Sequence, residues 1–546
     1  MPIEHIRNLA KYGILTDPDP YDLAPEAWSG GVNVRFRNGK VTGGPVFRSA
    51  LVLGNTDPRF TCSANPSTGL DLLFVGYKDG TVSRVQNGAE VDYSVSGFTP
   101  SAAEATWTST TLANVTYINR SDRAPWYLRA SDAQFQNLGV FSGGLSGAWD
   151  STWSCQILRA CGGALVALNV TEGATNSPTM VKTSSIPLAG MIPASWDITT
   201  SSTLATENIL AEMQGPITDA CKLGTSLCIY GNAEAWAMTP NGALSIYNYD
   251  KLPFKKGSIN ANCSVEIDGK NFVFGPDDIW MHDGTSEKSL CDEKVREFIY
   301  GSINLSKSSR CFVNHNPRLK EITFAYVSGD RLVSFLNNPD GCNRQAVYNY
   351  SDGTWTFDDL PMCFSACMAT LSNQLTYATV TATYATIGGS YLDQEDGYKR
   401  VPVYVGSSNS TYSLSTSLYA FDLYGQGSMV SFGVDTHATM PRYLERDGID
   451  LDEINVDLRG YKTISSIYPQ ARLGSGASNL MINAGASDGF NQPATFVGWQ
   501  PYNGNDLYKL DFNVAGRYLS LQIKFSDYKE LSVSGFDLDM KVTGQA

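Results

Sequence analysis

Two-residue turns of the type Asn-Gly, Asp-Gly or Gly-Gly recur along this chain, each between short runs of apolar and β-branched residues. These dipeptides favour the type I′ turn of a β-hairpin, because both of its central residues need a positive φ angle. The turns lie at Asn38-Gly39, Asp79-Gly80, Asn87-Gly88, Gly162-Gly163, Asn241-Gly242, Asp268-Gly269, Asp283-Gly284 and Asp352-Gly353. We therefore expect an all-β fold built from many small antiparallel sheets.

The spacing of the hairpins favours a β-propeller. Between Gly39 and Ser408 the strand groups form roughly six meanders, at the ~40–60-residue spacing of propeller blades with insertions. A series of β-sandwiches is an alternative, and a β-solenoid would need a tighter, fixed period. We place a propeller of about six blades at residues 36–408. Helices are expected only at 207–213 and 291–300.

The C-terminal part has longer and more regular strands. In the segment GRYLSLQIKF, Leu519, Leu521, Ile523 and Phe525 alternate with polar residues. One apolar face and one polar face are typical of a strand in a sandwich. We therefore predict a separate C-terminal β-sandwich at residues 409–546.

The first residues lack any period. The stretch PDPYDLAPEAW contains three prolines, which suggests an extended N-terminal arm, and residues 1–35 are predicted to hold that arm and a first strand. Exposed apolar residues on an extended arm usually bind something. Tyr21, Leu23 and Trp28 are therefore candidates for contact with another chain, and deleting residues 1–27 should leave a folded monomer that assembles poorly.

Charge and cysteine content limit the classes of function. The 546 residues carry a formal net charge of −14, which argues against a protein held to nucleic acid by phosphate neutralisation. No apolar run is long enough to span a bilayer, and the charged N-terminus does not resemble a signal peptide. The cysteines number eleven, an odd count without a Cys-x-x-Cys pair, so we expect buried free thiols and folding in a cytoplasm.

The sequence offers little that resembles catalytic machinery. His282-Asp283 and Asp352-Gly353 are better interpreted as hairpin turns than as parts of a triad or a glycosidase pair. Ser487 lies in a literal G-x-S-x-G, but no histidine follows it and the segment FNQP comes next instead of a helix. The acidic segment 445–457 does not have the order of a Ca²⁺ loop. We predict no catalytic residue, no cofactor site and no metal site.

Several segments resemble a known family. The opening LAPEAWSGGVNVRFRNGKVTGGP, then MVKTSSIPLAGMIPASWD at 180–197, NFVFGPDDIWMHDG at 271–284 and AVYNYSDGTWTF at 346–357 resemble, in the same order, tail proteins of short-tailed bacteriophages. GRYLSLQIKF followed by LSVSGFDLDMKVTG resembles their C-terminus. The family is that of podovirus tail nozzle proteins, also called phage stabilisation or tail accessory proteins.

The resemblance implies a structural virion protein rather than an enzyme. It implies a propeller subunit in a six-fold ring that joins the portal and adaptor to a distal fibre, spike or needle. It also implies a tail protein that is assembled in the host cytoplasm, and a channel through which viral DNA passes without specific binding. An acidic channel wall would suit that role, because it denies phosphates their Lys and Arg partners.

The competing hypothesis is a glycan-binding or glycan-hydrolysing propeller at the host surface. Eight tryptophans are spread across the hairpin groups and could serve as sugar platforms, but we expect them to form the core between blades. They are Trp107, Trp126, Trp149, Trp153, Trp196, Trp236, Trp280 and Trp355. The mass of the particle in solution separates the two hypotheses, since only the nozzle requires a ring.

Overall fold

The structure is a computed structural model. It describes residues 3–55, 57–64, 71–86, 88–139, 147–242, 246–329, 340–371, 400–406, 416–422, 442–451, 460–473, 480–489, 492–504, 508–525 and 531–545. Nearly all regular structure in these residues is β-strand, as the sequence predicts.

Five consecutive blades are separate four-stranded antiparallel sheets, each made of strands that follow one another along the chain. Blades one and two hold β6 (Pro58–Ala64), β7 (Leu72–Tyr77), β8 (Val82–Gln86), β9 (Ala89–Asp92), β10 (Trp107–Leu112), β11 (Val115–Arg120), β12 (Trp126–Leu128) and β13 (Gln136–Asn137). Blades three to five hold β14 (Trp153–Cys161), β15 (Ala164–Glu172), β16 (Thr175–Thr183), β17 (Thr206–Ile209), β18 (Asp219–Leu223), β19 (Ser226–Tyr230), β20 (Ala235–Pro240), β21 (Tyr247–Lys251), β22 (Ser264–Ile267), β23 (Lys270–Phe274), β24 (Ile279–His282) and β25 (Glu287–Ser289).

Blades six and seven share one long strand. Their seven-stranded sheet has β26 (Phe312–Asn316), β27 (Glu321–Tyr326), β28 (Cys342–Asn349), β29 (Thr354–Thr370), β30 (Arg400–Gly406), β31 (Ser417–Asp422) and β5 (Val46–Val52). The first half of β29 pairs with β28, and the second half pairs with β30. The outer strand of blade six therefore continues directly into the inner strand of blade seven.

The blades close into a ring. The first strands of successive blades contact one another in the order β6, β10, β14, β18, β22 and β26, and β29 contacts both β26 and β6. Strand β5, from near the N-terminus, pairs with β31 and completes blade seven. The propeller has seven blades rather than about six, because β29 joins two blades without the hairpin turn that the sequence count relied on.

The type I′ geometry predicted for the turns is confirmed at some of them and wrong at Asp79-Gly80, Asp283-Gly284 and Asp352-Gly353, where only the glycine has a positive φ. Asn38 and Gly39 have φ angles of 49° and 74°, and Asp268 and Gly269 have angles of 51° and 75°. Both pairs have the two positive φ angles of a type I′ turn. The Asn38-Gly39 hairpin, however, belongs to the second unit of the protein and not to the first blade.

That second unit is a β-sandwich made from both ends of the chain. The N-terminal part supplies β1 (Ile3–Arg7), β2 (Gly30–Val32), β3 (Val34–Arg37) and β4 (Lys40–Gly43). The C-terminal part supplies β32 (Arg442–Ile449), β33 (Gly460–Arg472), β34 (Leu480–Ser487), β35 (Thr495–Phe496), β36 (Gln500–Tyr502), β37 (Leu510–Gly516), β38 (Tyr518–Phe525) and β39 (Ser532–Gln545). One sheet has the order β3-β4-β39-β33-β37 with β1 on β39, and the other has β2-β32-β38-β34-β35 with β36 on β34.

The predicted domain limits therefore need correction. Within the predicted range 1–35, the described residues 3–35 are not an extended arm, because β1 pairs along its whole length with β39, and β2 pairs with β32. The propeller strands run from 46 to 422 rather than from 36 to 408. The alternation in β38 is confirmed, since Leu519, Leu521, Ile523 and Phe525 are all buried.

A buried ion network joins the sandwich to blade six. The Arg35 guanidinium donates to both carboxylate oxygens of Asp358, at 2.7 and 2.6 Å, and its Nε lies 3.0 Å from Glu321. Arg37 also reaches Glu321, at 2.8 Å. Burial alone would lower the pKa of Arg35, but the two carboxylates outweigh it and raise that pKa above its usual value. The two units therefore share this buried ion network and one hydrophobic core.

Tryptophans and cysteines fill the propeller as the sequence predicts. Of the tryptophans spread across the hairpin groups, those buried in the structure are Trp107, Trp126, Trp149, Trp196, Trp236, Trp280 and Trp355. Nine of the eleven cysteines are buried, and all are free thiols. Six of the seven inner strands have a cysteine in the strand or directly before it, where a small apolar side chain lets neighbouring blades approach closely.

Helix is scarce in the described residues. The α-helix α1 spans Arg296–Ser302, so it overlaps the second half of the predicted helix at 291–300 and extends two residues beyond it. The predicted helix at 207–213 is wrong, because residues 206–209 form the edge strand β17, which pairs with β16. No helix in the described part of the chain has the length and apolarity to cross a membrane.

Candidate interaction surfaces

Two of the three residues predicted to contact another chain lie inside this one. Trp28 is only 2% exposed and Leu23 only 7%. The Trp28 indole N–H donates to the Leu9 carbonyl oxygen at 2.9 Å, and Arg446 donates to the Leu23 carbonyl oxygen at 2.7 Å. The prediction is wrong for Leu23 and Trp28, because their apolar side chains are covered by the sandwich itself. Tyr21 is half-buried, with its hydroxyl 3.5 Å from Asp19.

The axis of the propeller is closed by hydrogen bonds between blades. The Asn262 side-chain amide, at the start of blade five, donates to the carbonyl oxygen of Trp107 in blade two at 2.8 Å. Arg159 of blade three donates to Asn262 and to Asp219 of blade four, both at 3.1 Å. These contacts span the centre of the ring. A wide conduit along the axis of one propeller is therefore not part of this fold.

A second charged cluster lies beside that closure. Arg59 and Arg310 both contact Glu104 and Asp340, at 3.0 to 3.4 Å, and Lys307 lies 3.1 Å from Asp340. Partial burial would raise the pKa of Glu104, but hydrogen bonds from Arg310 and Arg59 outweigh it and hold that pKa well below its usual range. The cations of this cluster are each paired with carboxylates of the same chain, which disfavours their use on DNA phosphates.

His282 is a core residue next to a turn. Its ring is buried, its Nδ1 accepts from the backbone N–H of Gly284 at 3.1 Å, and its Nε2 lies 2.8 Å from the Tyr230 hydroxyl. Burial lowers the pKa of His282 to about 4. Asp283 accepts hydrogen bonds from Thr285 and Ser286 within the following turn. The Asp-Gly pair therefore lies in a turn between strands, as predicted, although only Gly284 has a positive φ.

The other candidate groups also have local roles. Asp352 accepts from Ser351 at 3.0 Å, within the turn that precedes β29. The Ser487 hydroxyl donates to the Gly489 carbonyl oxygen at 3.3 Å. Within the described ranges, no three His, Cys, Asp or Glu side chains lie close enough together to hold a metal ion.

The acidic segment at 445–457 is described only to residue 451. Glu445 and Asp447 project from β32, and both are half-buried. Burial, together with hydrogen bonding and charge repulsion from Asp447, raises the pKa of Glu445 to about 8. The described part of the segment is thus partly covered, and the remainder lies outside the described residues.

An acidic cleft lies where the N-terminal segment meets the propeller. It has a volume of about 800 Å³. The residues that line it are Asp17, Pro18, Pro276, Asp277, Asp292, Glu293, Arg296, Glu297, Tyr300, Gly301, Ile303 and Leu305. The Asp17 carboxylate accepts from the backbone N–H of Glu297 at 3.1 Å, so it helps fix α1 against the N-terminal segment.

An apolar loop projects from blade three. It joins β16 to β17 across residues 184–205, and Leu188 is 79% exposed, Met191 55% and Ile186 54%. The loop is held in place: the Gly190 backbone N–H donates to the Ala113 carbonyl oxygen at 2.6 Å, and that of Ser185 to Ser195 at 2.8 Å. We call these three side chains the blade-three patch.

The blade-three patch could have been found from the sequence, although the hairpin pattern does not indicate it. Residues 183–196 include no charged side chain, and they show neither strand alternation nor a helical period. An uncharged, aperiodic run that is too polar to be a core strand indicates a loop with exposed apolar residues.

The strand pairing defines the general class of this protein. The fold is that of a β-propeller joined to a β-sandwich. No protein-family profile matches the chain, and no curated protein matches it. One solved structure, described as YCF48 bound to D1 peptide, is 9% identical, covers 57% of this chain and 84% of its own, and has a TM-score of 0.33. A likeness at that TM-score carries no inference about the function of this protein.

Proposed function

We propose that this protein is a structural subunit of the tail of a short-tailed bacteriophage. In this role six copies form a nozzle ring between the adaptor or portal and the distal fibre, spike or needle. The observation that carries the proposal is the ordered set of sequence segments that resemble podovirus nozzle proteins, from LAPEAW near the N-terminus to LSVSGFDLDMKVTG at the C-terminus.

The contacts at the propeller axis refine the proposal. Asn262, Trp107 and Arg159 join blades two, three and five across the centre, so the axis of a single propeller is too narrow for duplex DNA. In a ring, the DNA path therefore runs between the subunits. The negative charge of the chain, −14, keeps such a path free of tight phosphate contacts.

The test is the shape and location of the protein as it exists in particles. Negative-stain images of the purified chain, and of virions labelled with an antibody against it, should show a ring with an open centre at the tail. The ring should bind duplex DNA weakly even at low salt, where a basic surface binds strongly. A monomer that binds or cleaves host-surface glycan, with no label on the virion tail, would overturn the proposal in favour of the competing function.

A further inference from the structure

We propose that the blade-three patch is one half of the contact between neighbouring copies of this chain. The inference rests on the proposed ring and names the surface that would form it. Leu188, Met191 and Ile186 are exposed large apolar side chains within six positions of one another. Their loop is fixed by backbone hydrogen bonds to Ala113 and within itself, so docking would not require the loop to be ordered first.

The charge of the protein favours a second copy as the occupant. Each chain carries −14, so two copies that approach through acidic surfaces repel each other. The loop residues 183–196 have no charged side chain, which makes this a surface where two acidic copies can meet without opposing like charges. A partner with a basic surface would instead favour the acidic regions, such as the cleft around Asp277 and Asp292.

The position of the patch suits a closed ring. A ring of identical subunits needs two different surfaces, placed on different sides of each subunit. The sandwich contacts the propeller at blade six, where Arg35 meets Asp358. Blade three lies three blades from blade six in one direction and four in the other, so the patch and the sandwich are on opposite sides.

The sandwich also has exposed large apolar side chains among its described residues. They include Val497, Tyr508 and Val542. We infer that the patch of one copy contacts the sandwich of the next, in a head-to-tail arrangement. A patch-to-patch contact would instead give a closed dimer.

The experiment compares two charge variants of the full chain by analytical ultracentrifugation over a range of concentrations. The double variant Leu188→Asp and Met191→Asp places two carboxylates in the patch. The control Val91→Asp adds one carboxylate at a residue 46% exposed on β9 of blade one. We expect the double variant to raise the self-association Kd by about 100-fold or more, because buried charges in an apolar contact are costly, and the control to assemble as the wild type does.

A photo-crosslinking amino acid at position 188 identifies what the patch touches. The expected product has twice the mass of the chain, with the link in residues 3–43 or 442–545 of the neighbour. A link between two copies of blade three would overturn the head-to-tail arrangement.

The outcomes separate this inference from the nozzle proposal. If the wild type forms rings and the double variant forms them equally well, the inference is wrong and the nozzle proposal stands. If the wild type stays monomeric at every concentration, the patch does not bind a second copy and the inference is again wrong. The nozzle proposal is then decided by the antibody label on virions alone.

Discussion

The propeller and the sandwich are both made of antiparallel strands, but their strands pair in opposite ways along the sequence. In blade three, β14 pairs with β15 across the two-residue turn Gly162-Gly163. In the sandwich, His5 of β1 contacts Asp537 of β39 at 2.7 Å, although 532 positions separate them. Two strands that are adjacent in the sequence are joined by a turn whose residues can be recognised. Two strands that are distant in the sequence show only an apolar pattern, which does not indicate which strand pairs with which.

Blade seven stands between these two cases. Three of its strands, from β29 to β31, follow one another, but its outer strand β5 comes from near the N-terminus. Residues 3–52 therefore supply strands to the sandwich and also complete the propeller. The N-terminal segment therefore links the sandwich to the propeller. Local sequence patterns do not indicate this role.

Removing the N-terminal strands should break the sandwich and have the largest effect. Deleting residues 1–29 removes β1 together with the buried Trp28, and it exposes the edge of β39 that β1 covers. We expect aggregation or loss of the folded protein, not the folded monomer that an extended arm would predict. Soluble yield and far-UV circular dichroism measure this, with a deletion that stops before Ile3 as the control. A soluble chain with an unchanged circular dichroism spectrum would support the extended N-terminal arm instead.

Breaking the ion network should test whether the two units unfold together. Arg35→Met leaves the Asp358 carboxylate buried without its cation, although the Gln345 side-chain amide still donates to it at 3.0 Å. We expect a loss of about 3–5 kcal/mol in the free energy of unfolding, because one partner of a buried pair is removed. Urea unfolding followed by tryptophan fluorescence measures it.

The control for that variant is Lys509→Met, which removes an exposed ion pair with Asp511 in the sandwich. Solvent and salt screen an exposed pair, so this variant should unfold close to the wild type. Equal losses in the two variants would mean that the contact between the units adds nothing beyond an ordinary surface pair.

Two glycine substitutions test how much stability depends on backbone conformation, one in a propeller turn and one in a sandwich strand. Gly269 has a φ angle of +75°, and Gly30 in β2 has no positive φ; a Cβ at either would meet open space. We expect Gly269→Ala to cost about 1 kcal/mol, since only the backbone conformation resists it, and Gly30→Ala to cost close to nothing. Thermal unfolding of both variants checks this, and equal midpoints would argue against a strained turn at Gly269.

The smallest expected effect is a pH dependence that belongs to the sandwich. The folded-state pKa of Glu445, about 8, lies above its ordinary value of 4.5, so the folded state binds the extra proton between these values. The stability that this proton supplies is therefore lost as the pH rises from about 4.5 to 8.

The variant Glu445→Gln should remove that dependence. Because Glu445 is only half-buried, we expect the difference in unfolding free energy between pH 5 and pH 8 to shrink by about 1 kcal/mol or less. Urea unfolding at the two pH values measures it. An unchanged difference would show that Glu445 ionises normally in the folded protein.

The sequence predicted the propeller well and the surfaces poorly. Turn dipeptides such as Asp268-Gly269 fix their own local geometry, because few other residues adopt two successive positive φ angles. Leu23 and Trp28 could not be placed in this way. The segment around them has prolines and no hydrophobic period. These features are equally compatible with an arm that binds another chain and with a segment that packs on its own sandwich.

The sequence by itself determined the all-β class, the hairpins and the alternating faces of strands such as β38, because each depends on neighbouring residues. Tertiary structure alone decided the seventh blade, the pairing of β1 with β39 and the closure of the axis by Asn262. The physical reason is that a strand edge accepts any partner of suitable register. The choice among distant partners depends on which arrangement buries the shared core, and that is a property of the whole chain.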